Sequence, residues 1–176
     1  VLDDTNQPHF IDSTKISGGK FKFQGKFEVP RYCTINIYLD PNDRQTRSKI
    51  INFSLFIDST AVEATCNYSG KHPVFQISGS GTQTEYQNYL SEIQPMEDDR
   101  SKTFHAYGEA YYSTKDLAKA IDLAKLVTEK RLAIREAKMK YLKAHPESAI
   151  SVKIAQELSD RNSDLSLKEI EGLFTS

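Results

Sequence analysis

Two cysteines, four histidines, two Asp-Ser-Thr triplets and a Gly-Ser-Gly-Thr segment are the residues of this chain that could do chemistry. Cys33 and Cys66 are far apart in sequence and form neither a CxxC dithiol nor a zinc-ligand pattern. They read either as two buried inert thiols or as one structural disulfide between strands, which an oxidising compartment would permit. The sequence does not set their Cα separation, so both readings stand. His9, His72, His105 and His145 make no HxxxH pair, and none neighbours a cysteine, so no metal-ligand spacing exists. Asp12-Ser13-Thr14 and Asp58-Ser59-Thr60 have no histidine or GxSxG elbow beside them; they read as turn and edge residues rather than nucleophiles. Backbone N–H groups at Gly79-Ser80-Gly81-Thr82 could cradle phosphate where a strand feeds a helix. The segment lacks the P-loop lysine and the third glycine of a dinucleotide fingerprint, so a tight turn with a helix cap accounts for it. Tyr107, Tyr111 and Tyr112 either stack on a ligand or pack between elements. No catalytic, cofactor-binding or metal-binding set is assigned, and no cofactor is expected.

The elements that would position these residues change character near residue 80. Before it, alternation and turns argue an antiparallel, β-sandwich-like half. Val1 to Pro8 reads as irregular, and strands are expected over 10–16, 20–27, 32–39, 49–57, 61–68 and 74–77. Phe21, Phe23 and Phe27 share one face of the second of these. Cys33, Ile35, Ile37 and Leu39 face inward on the third, Ile51, Phe53, Leu55 and Ile57 on the fourth, and Val62, Ala64, Cys66 and Tyr68 on the fifth.

After residue 80 the period becomes helical. A helix capped by Thr82 or Thr84 carries Tyr86, Tyr89, Leu90 and Ile93 and is interrupted at Pro95. An acidic segment follows, then an aromatic stretch over 104–112 that reads as helix or loop. Ser113 to Ala144 contains neither Gly nor Pro and is one long helix, capped by Ser113 or Thr114 and ended by His145-Pro146. It holds nine Lys or Arg against four Asp or Glu, a solvated face rather than a polyanion site. Shorter helices are expected over 148–158 and 167–174. The fold class is α+β: an antiparallel β domain over 1–80, then a helical segment over 81–176 that packs on it or projects from it.

A chain of 176 residues with formal net charge −1 does not suggest nucleic acid or an anionic membrane as partner. No apolar run approaches the roughly 18 residues of a membrane-spanning helix. The chain starts at Val1 without Met or a signal-type stretch, which fits a processed protein or a piece of a longer one.

Three passages carry a resemblance: Asp12-Ser13-Thr14-x-Ile16-x-x-Gly19-x-Phe21-x-Phe23-x-Gly25, Ile77-Ser78-Gly79-Ser80-Gly81-Thr82-Gln83-x-x-Tyr86, and His145-Pro146-x-Ser148-x-Ile150-Ser151. In order and spacing they resemble the DUF4369-like domain of unknown function that precedes the thioredoxin-like domain in exported thiol–disulfide oxidoreductases of the AhpC/TSA or disulfide-interchange type, found in Gram-negative anaerobes. The resemblance implies a periplasmic or outer-membrane-anchored lipoprotein whose CxxC lies in a thioredoxin fold downstream, absent from this chain. The family's β domain also usually has a strand or two before the position of Val1. Cys33 and Cys66 do not match the redox pair, so no catalytic residue carries over and the chain itself is expected not to be an enzyme. The function implied is that of an accessory domain that positions or presents substrate to the thioredoxin-like domain. Its expected partners are that domain and protein substrates, with a homodimer through the long helix as a further option and no membrane insertion. The alternative is a stand-alone extracytoplasmic binding or adhesion module using sheet edges or the Tyr-rich helical surface.

Overall fold

A computed structural model describes residues 2–3, 9–24, 27–39, 50–68, 73–159 and 172. The chain divides into two compact units, Val1–Tyr86 and Gln87–Ser176. The first contains strands β1 (Leu2–Asp3), β2 (His9–Phe10), β3 (Arg31–Tyr38), β4 (Ile50–Ile57), β5 (Glu63–Tyr68) and β6 (Pro73–Ser78). Helix α1 (Gly81–Gly108) begins in the first unit and continues into the second, which also holds a π-helical turn (Glu109–Thr114), α2 (Leu117–Ala144) and α3 (Ala149–Ser159).

The β half is antiparallel, as the alternation implies, and is built as two small sheets: a four-stranded sheet in the order β2-β1-β3-β4, and the β5-β6 hairpin. The β3–β4 register sets Cys33 opposite Leu55 and Ile35 opposite Phe53. Ile35, Phe53 and Leu55 form the buried centre on that face, and Val62, Ala64, Phe75 and Ile77 of the hairpin segment pack against it. The Phe53 and Phe75 rings stack with centroids 4.2 Å apart. Burying a side chain of this size contributes about 1.5–3 kcal/mol, so these few residues dominate the unit's core.

Several expectations need correction. The strands expected over 10–16 and 20–27 are largely not formed among the described residues: beyond β2, residues 11–24 have one bridge, Ser17 to Lys20, at the Gly18-Gly19 turn. Phe21 and Phe23 still pack on the core, so the alternation reports the buried face and not a ladder partner. Within the stretch read as irregular, Leu2–Asp3 pairs with both β2 and β3. Two residues are too few for alternation to reveal. Leu39, expected inward, is exposed just past the end of β3, and Cys66, also expected inward, is exposed on β5. Tyr68's side chain, the 40–49 loop and the helix expected over 167–174 lie outside the described residues, apart from helical Gly172.

In the helical half, α1 does not stop at Pro95 but runs through it for 28 residues. Proline there removes one backbone hydrogen bond at a cost of about 3 kcal/mol. Buried Tyr89 and Ile93 before it, and Thr103 after it, hold the helix on course. The aromatic stretch is helical, passing into the π turn. The cap of α2 is Asp116, whose Oδ1 accepts from the Lys119 N–H at 3.1 Å, rather than Ser113 or Thr114. Tyr89 of α1 meets Tyr141 of α2 with ring centroids 4.8 Å apart. Helix α3 packs on α2 and buries Ile150, Ile154, Ala155 and Leu158, the 3/4 spacing of its apolar face. No described helix is long and apolar enough to cross a membrane.

Candidate functional site

Asp58 directly follows β4 and enters the turn to β5, while Ser80 ends the turn from β6 into α1. Twenty-two residues separate them, and the folded first unit brings them into contact: the Ser80 hydroxyl donates to Asp58 Oδ2 at 2.6 Å. The Thr60 N–H donates to Asp58 Oδ1 at 2.8 Å, the Thr60 hydroxyl donates to the same oxygen, and the Thr82 N–H adds a backbone donor. Thr60 Oγ1 also lies 2.9 Å from the Gly79 carbonyl. Ser80 Oγ in turn accepts from the Gln83 N–H at 3.0 Å, the geometry of an N-cap. Gln83 Oε1 then accepts the Phe56 N–H of edge strand β4 at 2.8 Å, so one continuous network joins β4, the following turn and the first turn of α1.

Gly79 is required by this joint. Its φ is +100°, and a Cβ there would stand 2.1 Å from the Ala61 carbonyl oxygen. Beside the polar network, Tyr32, Phe56 and Tyr86 form an aromatic triad with centroid separations of 5.1 to 5.7 Å.

The electrostatics define what this site can do. The Ser80 hydroxyl, then the Thr60 hydroxyl and the Thr60 and Thr82 N–H groups, hold the Asp58 carboxyl well below the usual carboxylate range, against the opposing effect of burial. A carboxylate so saturated with donors is a poor proton acceptor, so it does not activate Ser80 or Thr60 as nucleophiles. It also sits where backbone donors gather at the start of a helix, which is where an external anion would bind. The Gly-Ser-Gly-Thr segment, read as turn and cap, is therefore a turn and cap completed by the chain's own anion.

The other candidate residues are dispersed. Cys33 is buried in the sheet opposite Leu55, Cys66 is exposed on the hairpin, and both stand as thiols. In the first triplet, Asp12 Oδ1 accepts the local Ser13 N–H at 2.7 Å, on an exposed segment. His105 and His145 are exposed; the side chains of His9 and His72 lie outside the described residues. Among the described residues no group of three His, Cys, Asp or Glu could hold a metal ion.

In the second unit, Phe104, Tyr107, Tyr111 and Tyr112 form a row of touching rings with centroids 4.8 to 5.9 Å apart. Three of the four are exposed, rather than packed between elements. Elsewhere in this unit, Lys138 Nζ lies 3.0 Å from Glu157 and 3.7 Å from Glu97. Burial, with the Glu157 and Glu97 charges, raises the Tyr89 hydroxyl pKa well above the ordinary tyrosine range.

The Asp58–Ser80 joint closes at the last residues of the first unit. Residues 1–86 match the model of a family described as a domain of unknown function, DUF4369. The matched span coincides with the first compact unit. No curated protein and no solved structure matches the chain. The DUF4369 span contains both Asp-Ser-Thr triplets, the Gly79 turn and the aromatic triad. What sequence reasoning missed within it is the pairing of Asp58 with Ser80. The only available signal was an acidic Asx-type turn in one loop and a glycine-flanked serine in another.

Proposed function

We propose that this chain is the non-catalytic, N-terminal accessory part of an exported thiol–disulfide oxidoreductase. In this reading it positions or presents protein substrates to a thioredoxin-like domain further along the same protein. The DUF4369 match over residues 1–86 supports the proposal: it spans the first two of the three resembling passages, and a domain of that kind is what the resemblance sets before a thioredoxin-like domain. The local structure of those passages supports it. Gly79, Ser80, Gln83 and Tyr86 of the second passage build a joint, and in the third the Ser151 hydroxyl donates to the His145 carbonyl at 2.6 Å while Ser148 Oγ accepts the Ile150 N–H at 3.2 Å. These signature residues do structural work. Cys33, buried in the sheet, is unsuited to dithiol exchange with Cys66, because that reaction needs an accessible thiolate.

In this reading the two small sheets, which meet at Phe53 and Phe75, are the layers of a compact sandwich-like support, held in the periplasm or anchored at the outer membrane. The test is dithiol-driven reduction of a protein disulfide by this chain and by the same chain extended along its gene beyond Ser176. Activity only in the extended protein, with a CxxC encoded in the extension, is the expected result. Activity in neither protein, or no CxxC in the extension, overturns the proposal.

A further inference from the structure

Strand β4 lies at the edge of the four-stranded sheet, and its backbone shows what that edge accepts. The Phe56 N–H donates to Gln83 Oε1 at 2.8 Å, away from the partner strand β3. In an antiparallel strand the N–H and C=O of one residue point to the same side, and the side alternates from residue to residue. Phe56 therefore fixes the phase of the whole strand. The backbone groups of Ile51, Phe53 and Leu55 face β3, while those of Ile50, Asn52 and Ser54 point outward with the Phe56 N–H. Among the described residues no strand pairs with this outer edge, and no loop or turn backbone bonds to it.

Exposed edges of this kind are ordinarily blunted by shortness, charge, proline or a bulge. The other edge of the sheet follows that rule, since β2 is 2 residues long. Strand β4 does not. It is 8 residues long, and Ile50–Ile57 contains no charged residue, no Pro and no Gly. Its register with β3 runs from Tyr38↔Ile50 to Arg31↔Ile57 without a bulge. One end of the edge is closed, and the group that closes it is an amide: Gln83 holds its carbonyl oxygen where a neighbouring strand would hold a peptide carbonyl.

We propose that the outer edge of β4, from Ile50 to Leu55, binds an extended segment of an unfolded protein chain as an added strand. Backbone donors and acceptors repeating every two residues, about 6.8 Å apart, are matched by another extended backbone. The Gln83 amide on Phe56 is a single rung of that pairing, made by the chain itself. A second copy of β4 fits less well. Two-fold pairing of the edges would bring either Phe56 of one copy, or the residues leading into its Ile50, onto Gln83 of the other. A free segment can stop short of Gln83. Pairing through the backbone tolerates many sequences, but it requires a segment that is extended and not already paired, which a folded protein does not offer. In assigning the edge to protein substrates, the inference rests on the function proposed above.

The test follows fluorescence anisotropy and amide hydrogen exchange of the full chain with reduced, carboxymethylated α-lactalbumin, an unfolded protein without free thiols. Saturable binding is expected between about 1 and 500 μM. At a probe concentration about ten times Kd, exchange at Asn52 and Ser54 should slow by about 10-fold. Phe56, already held by Gln83, should not change. Asn52→Pro removes an outward N–H and spares the ladder to β3, so it should weaken binding by at least about 10-fold. Continued protection of the Cys33 thiol, opposite Leu55, shows that the ladder is intact. Ile50→Pro, at the first residue of the strand, replaces Asn52→Pro if that variant exposes Cys33. Val74→Ala, at an exposed apolar position on β6, should leave binding unchanged. Absence of binding, binding that survives the proline or falls with Val74→Ala, or equal binding of native α-lactalbumin overturns the proposal. So does protection of Asn52 and Ser54 that rises with the concentration of the chain alone, which would give the edge to a second copy. None of these measurements uses reductase activity. Binding without activity in the extended protein overturns the proposed function and leaves the edge; activity without binding overturns the edge alone.

Discussion

Replacing Asp58 by Asn keeps the shape of the β4–α1 joint and removes its charge. The wild-type carboxylate accepts the Ser80 and Thr60 hydroxyls and the Thr60 and Thr82 N–H groups beside the start of α1. Hydrogen bonds to a charged acceptor are worth about 1.5–3 kcal/mol each when fully formed, and a favourable charge at a helix N-terminus about 0.3–1. Asn retains one acceptor oxygen, and the partial exposure of Asp58 screens its charge, so the expected loss at pH 7 is about 1–2 kcal/mol. The sign of the pH dependence follows from the depressed carboxyl pKa. The stabilisation is fully present above the unfolded value of about 3.9 and is lost progressively as pH falls from there through the folded value. At pH 3, about one unit below the unfolded value, the gap between wild type and Asp58→Asn should have narrowed by about 1 kcal/mol. Urea denaturation followed by circular dichroism at pH 7, 5 and 3 measures this directly. Equal stability of the two proteins at pH 7, or a gap that stays constant down to pH 3, refutes the reasoning. Asp12→Asn is the internal control. Asp12 lies on an exposed segment, where it accepts the neighbouring Ser13 N–H, so the change should fall within about 0.5 kcal/mol at every pH.

Gly79→Ala must put a methyl group 2.1 Å from the Ala61 carbonyl at a φ of +100°, so it should cost about 3 kcal/mol or more, read as a large fall in Tm of the first unit's transition. A native thiol titration with a disulfide reagent should modify Cys66 quickly and Cys33 only on unfolding; two fast thiols, or no titratable thiol, would contradict the placement of the cysteines. Lys115 holds φ +59° where the π turn ends, a conformation that a non-glycine residue adopts at a cost of about 1 kcal/mol. Lys115→Gly should therefore leave stability unchanged or raise it by up to about 1 kcal/mol, and a clear loss in urea denaturation would show that the lysine side chain contributes more than its backbone strain.

The parts of the fold legible in sequence were those that repeat locally. Ile35, Phe53 and Leu55 alternate with polar residues, and their inward placement followed. Ile150, Ile154 and Leu158 recur at helical spacing, and α3 was found within a residue of its bounds. Alternation does not specify a neighbour, however: Phe21 and Phe23 pack on the core as it predicts, while residues 21–24 form no strand. Pro95 was read as a break because its local penalty is visible in sequence, whereas the burial of Ile93 and Thr103 that outweighs it is tertiary. Cys66 shares the parity of Val62 and Ala64 but lies farther along the hairpin, where it is exposed; parity alone does not give the extent of a core. Of the candidate site, the turn and the cap were each legible, but the bond between Asp58 and Ser80 was not, since nothing local links two loops twenty-two residues apart.

That bond also decides between two readings of the Gly-Ser-Gly-Thr segment. A glycine-rich turn entering a helix gathers backbone N–H groups, and the fold must supply something negative to meet them. Here the negative group is Asp58, already accepting the Ser80 hydroxyl and the Thr82 N–H. A phosphate entering the same position would have to displace the carboxylate or lie beside it. Two like unit charges about 4 Å apart near a protein surface repel by about 4 kcal/mol, and a dianion by more, which exceeds the 0.3–1 kcal/mol gained from a helix terminus. Asp58→Asn therefore separates the two roles in one protein. The loss of stability at pH 7 reports the joint. Any phosphate affinity that the variant gains over wild type in a calorimetric titration reports the anion site that the carboxylate fills.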